Sequence, residues 1–393
     1  MATYYVREIG ATIQKVDQRL LVVKDKKQVA EIQLHQLDQL VVMGDVQVTT
    51  QSLSLLLRSG VDVVFMTRSG RVNGRVVANE SRFAELRLRQ LQVMSDAALN
   101  LRIAKQVVAG KVFNQVAFLE TARQPLRQAP AANASNTSQQ LELGFAPQQQ
   151  AARLRNATQS RPYTTALRGM PEMLVGSAHA IDADSLRGYE GKAAAWYWPA
   201  FKLLLADDMG FTHRMYYPPP DPVNALLSFG YALLQKDVMA AVQLVGLDPY
   251  LGFFHTVQYG RPSLALDLME EWRPIVVDAL VARLINWGQI RPRDFVKGKH
   301  SEEGDASKGN EASGRNPDAA ETRPARMLSL TDEAVKRVIQ MYEGMLTTVM
   351  LHPRSGERTS YRRSLELQVR QLARVLKGEE PTYEPYLAKP VAT

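Results

Sequence analysis

The sequence predicts an α+β protein: a small N-terminal β-rich domain over residues 1–80, followed by a larger all-helical domain over residues 81–393. Three observations carry this expectation. Up to residue 78 the apolar residues fall in short valine- and leucine-rich runs separated by polar or glycine turns, as strands require. From about Asn79 the spacing changes to that of helices, three and four residues apart. With 393 residues, 45% hydrophobic and 22% charged, the chain is also long enough for two domains and a substantial core.

In chain order, RLLVVKD, QVAEIQL, QLVVMG, VDVVFMT and RVNGRVVA read as strands, with turns such as Asp25-Lys-Lys27 and Arg68-Ser-Gly70 between them. One helix, Gln51 to Arg58, follows the Thr49-Thr50 cap and stops at Gly60. His35 is the only histidine of this part and reads as structural. The segment from Ser81 to Ala122 reads as one long helix or two, with Leu88, Leu91, Val93, Leu99 and Ile103 as its buried side and Gly110 as a possible break. Residues 125–160 are rich in Gln, Ala, Asn, Ser and Pro and bury too little to offset ordering entropy, so they read as a polar surface insertion with at most a transient helix. Asp221 caps a helix that starts at Pro222, and Asn224 lies in its first turn. Residues 297–326 are Gly, Ser, Glu and Lys with almost no large apolar side chains and read as a disordered linker; His300 within it has no fixed neighbours. Thr331 then caps a helix, and SYRRSLELQVRQLARVL repeats apolar residues at helical spacing with arginines between.

Two stretches hold the residues that suggest chemistry. In GFFHTVQYGRPSLALDLMEEWRP, His255 precedes a Gly-Arg-Pro turn and a helix carrying Asp267, Glu270 and Glu271. Helix phase sets Asp267 and Glu270 together, opposite Leu264, Leu268, Trp272 and Ile275, with Glu271 on the flank. Histidine and carboxylates are metal ligands, although acids in a first helical turn also suit a solvated face near the macrodipole's positive end. In RGYEGKAAAWYW, Glu190 stands on a helix of small and aromatic residues with no charge between Lys192 and Lys202. A lone carboxylate in such a setting needs a metal or a cation as its partner.

GYEGKAAAWYW, DPVNALLSFGYALL and GLDPYLGFFHTVQYGRPSLALDLMEEWRP, in this order and behind a β-rich N-terminus, resemble the CRISPR-associated integrase family, the universal spacer-acquisition nucleases known as Cas1. The resemblance implies that Glu190, His255 and Glu270 are metal ligands, with Asp267 a further active-site acid, and that the ion is Mg2+ or Mn2+. It implies a homodimer, joined through the β-rich domain and bridged by a small ferredoxin-like adaptation partner. The implied reaction is attack by the 3'-hydroxyl of a captured double-stranded DNA fragment on a phosphodiester of the CRISPR repeat. In family terms the Arg214-to-proline segment resembles part of a DNA-facing wall, which makes Arg214 a phosphate-contact candidate and His213 a weaker one.

Composition bounds these expectations. With no cysteine, disulfides, thiolate zinc sites and thiol nucleophiles are excluded, and oxygen and imidazole donors suit Mg2+ or Mn2+. The N-terminus lacks a signal pattern and no uncharged run approaches a bilayer span, so a cytoplasmic protein with no membrane partner is expected. Net charge is +8, and from Arg326 to Lys377 ten Lys or Arg stand against five Asp or Glu. Arg362, Arg363 and Arg370 of that segment are candidate DNA contacts, beside the reading of a solvated helical face. Tyr189 beside Glu190 invites comparison with a tyrosine recombinase, but the arginines and histidines such a nucleophile needs are not evident. Two alternatives to the integrase stay open: a metal-dependent endonuclease using water at the same site, and a DNA-binding scaffold without catalysis.

Overall fold

The computed structural model describes residues 3–77, 83–121, 149–215, 218–297 and 328–388. Their architecture is α+β. Strands β1 (Thr3–Val6), β5 (Gln39–Met43), β7 (Asp62–Met66) and β8 (Val72–Val76) form one sheet in the order β1-β5-β7-β8. Its β1/β5 and β5/β7 pairs are parallel and its β7/β8 pair antiparallel. Strands β2 (Thr12–Val16), β3 (Arg19–Lys24), β4 (Lys27–Ile32) and β6 (Gln47–Val48) form a second sheet in the order β4-β3-β2-β6. Helix α1 (Thr50–Arg58) starts where Thr49 Oγ1 accepts the Ser52 amide.

The first sheet is a shared wall. Side chains alternate across a strand, so Leu40 and Val42 of β5 join Val6, Ile13 and Leu56 in a small core, while Val41 and Met43 join the large helical core. All five residues of β5 are buried, which is why its sequence reads as a continuous apolar run. The turn before β8 is pressed onto the helical layer, since a Cβ on Gly70, at φ +92°, would meet the Phe229 ring.

The helical part runs through α2 (Ala84–Ser95), α3 (Ala97–Thr121), α4 (Gln149–Gln159), α5 (Arg161–Ala178), α6 (Ala183–Leu203), α7 (Pro222–Val245), α8 (Ser263–Met269), a π-helical segment (Arg273–Asp278) and α9 (Ala279–Asn286). Helices α10 (Asp332–Thr347) and α11 (Tyr361–Lys377) follow, and two short antiparallel ribbons decorate this layer: β9 (Phe295–Lys297) with β10 (Leu328–Leu330), and β11 (Val349–Leu351) with β12 (Arg358–Ser360). Helix α7 is long and apolar enough to cross a bilayer, but it is the core helix, with 83% of its apolar window buried.

Several expectations change. The break after residue 81 falls at Asp96, whose carboxylate caps Ala98 and Leu99, and Gly110 lies inside an uninterrupted α3. Gly110 is small for packing: a Cβ there would fall 2.6 Å from the Pro385 side chain. Leu88 and Leu91 are exposed, and α2 buries Leu86 and Gln90 instead, because Gln90 is bonded to the Asp248 and Leu251 carbonyls. Residues 149–159 of the expected insertion form a helix with Leu154 and Ala157 buried. The remainder of that insertion, 125–148, and residues 298–326 of the expected linker lie outside the described residues, while Lys297, its first residue, ends β9.

Candidate metal centre

Helix α6 is set by Asp182, whose carboxylate accepts the Ser185 amide at 2.7 Å while Ser185 Oγ accepts the Asp182 amide, a reciprocal cap. The helix packs against α5 through glycines: Gly169 accommodates Trp196 and Gly176 accommodates Tyr189, each leaving no room for a Cβ. Tyr189 is therefore packing, and the Glu190 carboxylate next to it, 20% exposed, turns toward α3.

His255 is held by Asp267. One buried carboxylate accepts the backbone amides of Phe253 (2.6 Å), Phe254 (3.0 Å) and His255 (2.9 Å) and also contacts His255 Nδ1 at 2.6 Å. A carboxylate that close demands a proton on Nδ1, so Nε2 is the ring nitrogen that carries the lone pair whenever the imidazole is neutral. Nε2 lies 3.7 Å from Glu270 Oε1. Asp267 thus positions the imidazole and the turn that bears it. It sits in the interior, as do Ser263 and Glu270, rather than on a polar helix face.

Glu270 follows the last turn of α8, where the regular helix gives way to the π-helical segment, a local widening often found at functional sites. Its carboxylate meets Arg273 Nη2 at 3.3 Å and Lys111 Nζ at 2.9 Å. Burial opposes the charge, but Arg273, Lys111 and His255 outweigh it and hold the acid at a pKa of about 2. Glu270 Oε2 is buried and, although 2.9 Å from Lys111, receives no directed hydrogen bond. Glu271 faces the other way: it accepts the Tyr386 amide and the Tyr383 hydroxyl, and burial pushes it up to about 8.

Lys111 of α3 joins the two acids, with Nζ 2.5 Å from Glu190 Oε1 and 2.9 Å from Glu270 Oε2. Burial disfavours its charge, yet the two carboxylates overcompensate and raise its pKa. Among the described residues, no three carboxylate or imidazole groups stand close enough to enclose an ion as they are arranged. The ammonium of Lys111 lies between Glu190 and Glu270. The donor set nevertheless fits a hard divalent cation: two carboxylates, an imidazole whose Nε2 is turned toward one of them, and a cation already bridging the acids.

The expected DNA contacts separate. Arg362 is buried, paired with Asp237 (3.2 Å) and Glu343 (2.6 Å) and bonded to Thr3, so it is a structural arginine and not a surface phosphate contact. Arg363 and Arg370 are exposed and both pair with Glu366. Arg370 also lines a cleft of about 740 Å³ with Arg89, Arg374 and Lys377, apart from the metal centre. Arg214 is half-buried, donates to Asn224 Oδ1 and Ser228 Oγ, and lies over the Tyr231 ring, which Arg273 shares. His213, His179 and His35 take no part in the centre; His179 ends α5.

Sequence reasoning missed Lys111 and Arg273. Lys111 carried a signal: it is a single charge in the apolar run VVAGKVFNQVAFL, the feature that drew attention to Glu190.

The profile of a family described as CRISPR associated protein Cas1 matches residues 4–304. A Rhodospirillum rubrum protein, "CRISPR-associated endonuclease Cas1 2", is 34% identical over 391 residues and covers 98% of each chain. Among solved structures, a casposase bound to integration product superposes with a TM-score of 0.75 at 18% identity, over 100% of this chain and 96% of that one. A Cas6-RT-Cas1-Cas2 complex gives 0.73 at 22% identity, over 99% of this chain and 36% of that one. At such identities the structures speak for the fold.

Proposed function

The chain belongs to the Cas1 family of CRISPR-associated proteins, and from that premise we propose that it is a divalent-metal-dependent DNA integrase of CRISPR adaptation. The observation that carries this reading is the gathering of Glu190, Glu270 and His255 from three separate elements: Lys111 bridges the two carboxylates, and Nε2 of His255 lies 3.7 Å from Glu270. Glu190, His255 and Glu270 would hold Mg2+ or Mn2+, which polarises a phosphodiester and offsets the charge building on phosphorus and the leaving oxygen. Asp267 keeps the imidazole in the Nδ1–H tautomer, and Arg273 keeps Glu270 ionised. The attacking group is the 3'-hydroxyl of a short double-stranded DNA fragment and the target a phosphodiester of the CRISPR repeat. The bond to the incoming hydroxyl forms as the bond to the leaving 3'-oxygen breaks, and the hydroxyl proton passes to solvent. No covalent protein nucleophile is required.

The protein would work in the cytoplasm as a homodimer joined through its β-rich part, with a small ferredoxin-like partner. The neighbour solved as a Cas1-Cas2 assembly supports a partner of that kind. A second reading, metal-dependent endonuclease, is favoured by the relative named an endonuclease and needs only water in place of the 3'-hydroxyl.

The test is a strand-transfer assay with a labelled 3'-hydroxyl duplex, a repeat-bearing plasmid and the small partner, in Mn2+, Mg2+ or EDTA, with His255→Ala beside wild type. Metal-dependent joining that His255→Ala abolishes is expected. Cleavage without joining would move the conclusion to the endonuclease, and DNA binding with neither reaction in any metal would leave a scaffold.

A further inference from the structure

We propose that Lys111 is a built-in placeholder cation, which holds Glu190 and Glu270 together while no metal is bound and is displaced when the divalent ion enters. The inference deepens the metal-dependent reading above and rests on it.

Glu270 is buried, Glu190 is largely so, and Asp267 lies directly behind His255. Carboxylates so placed repel one another and lose solvation, so the metal-free fold needs positive charge at this point. Two cations supply it, and they differ in kind. Arg273 is fixed: its planar guanidinium lies over Tyr231, 4.8 Å from the ring centroid, while one nitrogen meets Glu270. Lys111 is a point charge on a four-carbon stem and touches both acids at once, Oε1 of Glu190 and Oε2 of Glu270. A divalent ion held by the same two carboxylates would compete with its Nζ for them. The missing directed hydrogen bond at Glu270 Oε2 shows that the amine satisfies the charge of this oxygen better than its geometry.

The alternative is that Lys111 is a permanent part of the core whose ammonium stays put and helps to build the site. The two predict opposite signs for metal affinity. If the ammonium competes with the metal, an apolar isostere removes the competitor and binding tightens, even though the metal-free fold becomes less stable. If the ammonium builds the site, the same change weakens binding and stability together.

The experiment is calorimetric titration of Mn2+ into the full-length protein without DNA, comparing wild type, Lys111→Met, Lys111→Arg and Glu190→Gln, with thermal melts of each at several Mn2+ concentrations. Lys111→Met is expected to bind Mn2+ at least tenfold tighter than wild type while melting at a lower temperature without metal. Lys111→Arg, whose rigid fork keeps the charge between the acids, should bind Mn2+ at least tenfold more weakly than Lys111→Met. Should Lys111→Met be unfolded without metal, recovery of a cooperative melt on adding Mn2+ supports the placeholder, and a melt unmoved by Mn2+ overturns it. Equal or weaker binding by Lys111→Met also overturns it. If wild type binds Mn2+ through Glu190 but Lys111→Met binds no tighter, this proposal fails and the metal-dependent reading stands. If neither wild type nor Lys111→Met binds Mn2+, both fall.

Discussion

Replacing Asp267 by asparagine changes one oxygen into an NH2 group and removes a charge at a point where four donors converge. The carboxylate accepts three backbone amides at 2.6–3.0 Å and His255 Nδ1 at 2.6 Å, with none of its side chain exposed. Hydrogen bonds to a charged group contribute about 1.5–3 kcal/mol each, and a buried donor left unmatched costs about 1–3 kcal/mol. The asparagine oxygen can keep some of these contacts, but its NH2 faces donors, so a loss of about 3–5 kcal/mol is expected. The imidazole also loses the partner that fixes its tautomer, and disturbing such a contact typically lowers metal affinity about 10–100-fold. Chemical denaturation of the metal-free protein and Mn2+ titration read the two effects separately. Glu190→Gln is the control: its side chain, 20% exposed, has Lys111 as its one ion-pair partner among the described residues, so it should abolish metal binding at a smaller stability cost. Wild-type stability in Asp267→Asn, whatever its metal affinity, would refute the assignment of Asp267 as the anchor of the His255 turn.

Burial pushes Asp278 up to about 6, although Tyr197 and Tyr231 donate their hydroxyls to it. A raised folded-state value means its stabilising contribution is complete below the unfolded value of 3.8 and is lost as pH rises through about 6. Asp278→Asn escapes that loss, so its stability relative to wild type should improve by about 3 kcal/mol from pH 3.5 to 7, the equivalent of about two pKa units; urea unfolding with a pH-independent difference would contradict this. Arg362→Met takes one cation from Asp237, which keeps Lys236, and from Glu343, which keeps the Tyr5 hydroxyl, and should cost about 3 kcal/mol, whereas Arg363→Ala, on an exposed side chain, should change stability by about 0.5 kcal/mol or less; equal melting temperatures would reverse the structural assignment of Arg362. Gly110→Ala drives a methyl into Pro385 and should destabilise by about 1–3 kcal/mol, read as a lowered thermal midpoint.

Much of the fold was legible because local rules and tertiary placement agree. The alternating runs became strands, and Thr49, Asp221 and Thr331 cap the helices that their side chains announce. Long-range contacts account for most of the departures. Leu88 and Leu91 obey helical spacing but face solvent, because α2 is oriented by Gln90 reaching the loop at 248–251. Arg362 has the sequence context of a basic surface helix, and only the arrival of Asp237 and Glu343 makes it interior. In the metal centre, Glu190, His255, Asp267 and Glu270 were marked by residue type and by resemblance to a family. Lys111 escaped because its meaning depends on a contact 79 positions away. The helical wheel set Asp267 and Glu270 opposite the apolar side, yet both lie inside, because the turn at 253–255 covers Asp267 and Lys111 and Arg273 cover Glu270.

The Arg362 cluster also bears on how the chain is made. Arg362 bonds Thr3 across 359 positions, and Tyr5 donates to Glu343 across 338. At about 5–20 residues per second, synthesis separates the partners of the first pair by roughly 20–70 s. Throughout that interval β1 can pair with β5, but the polar groups beside it wait for α10 and α11 to leave the ribosome. The N-terminal sheet therefore emerges as a provisional structure, open to chaperones or to wrong strand pairing, and is locked only when α10 and α11 dock against it.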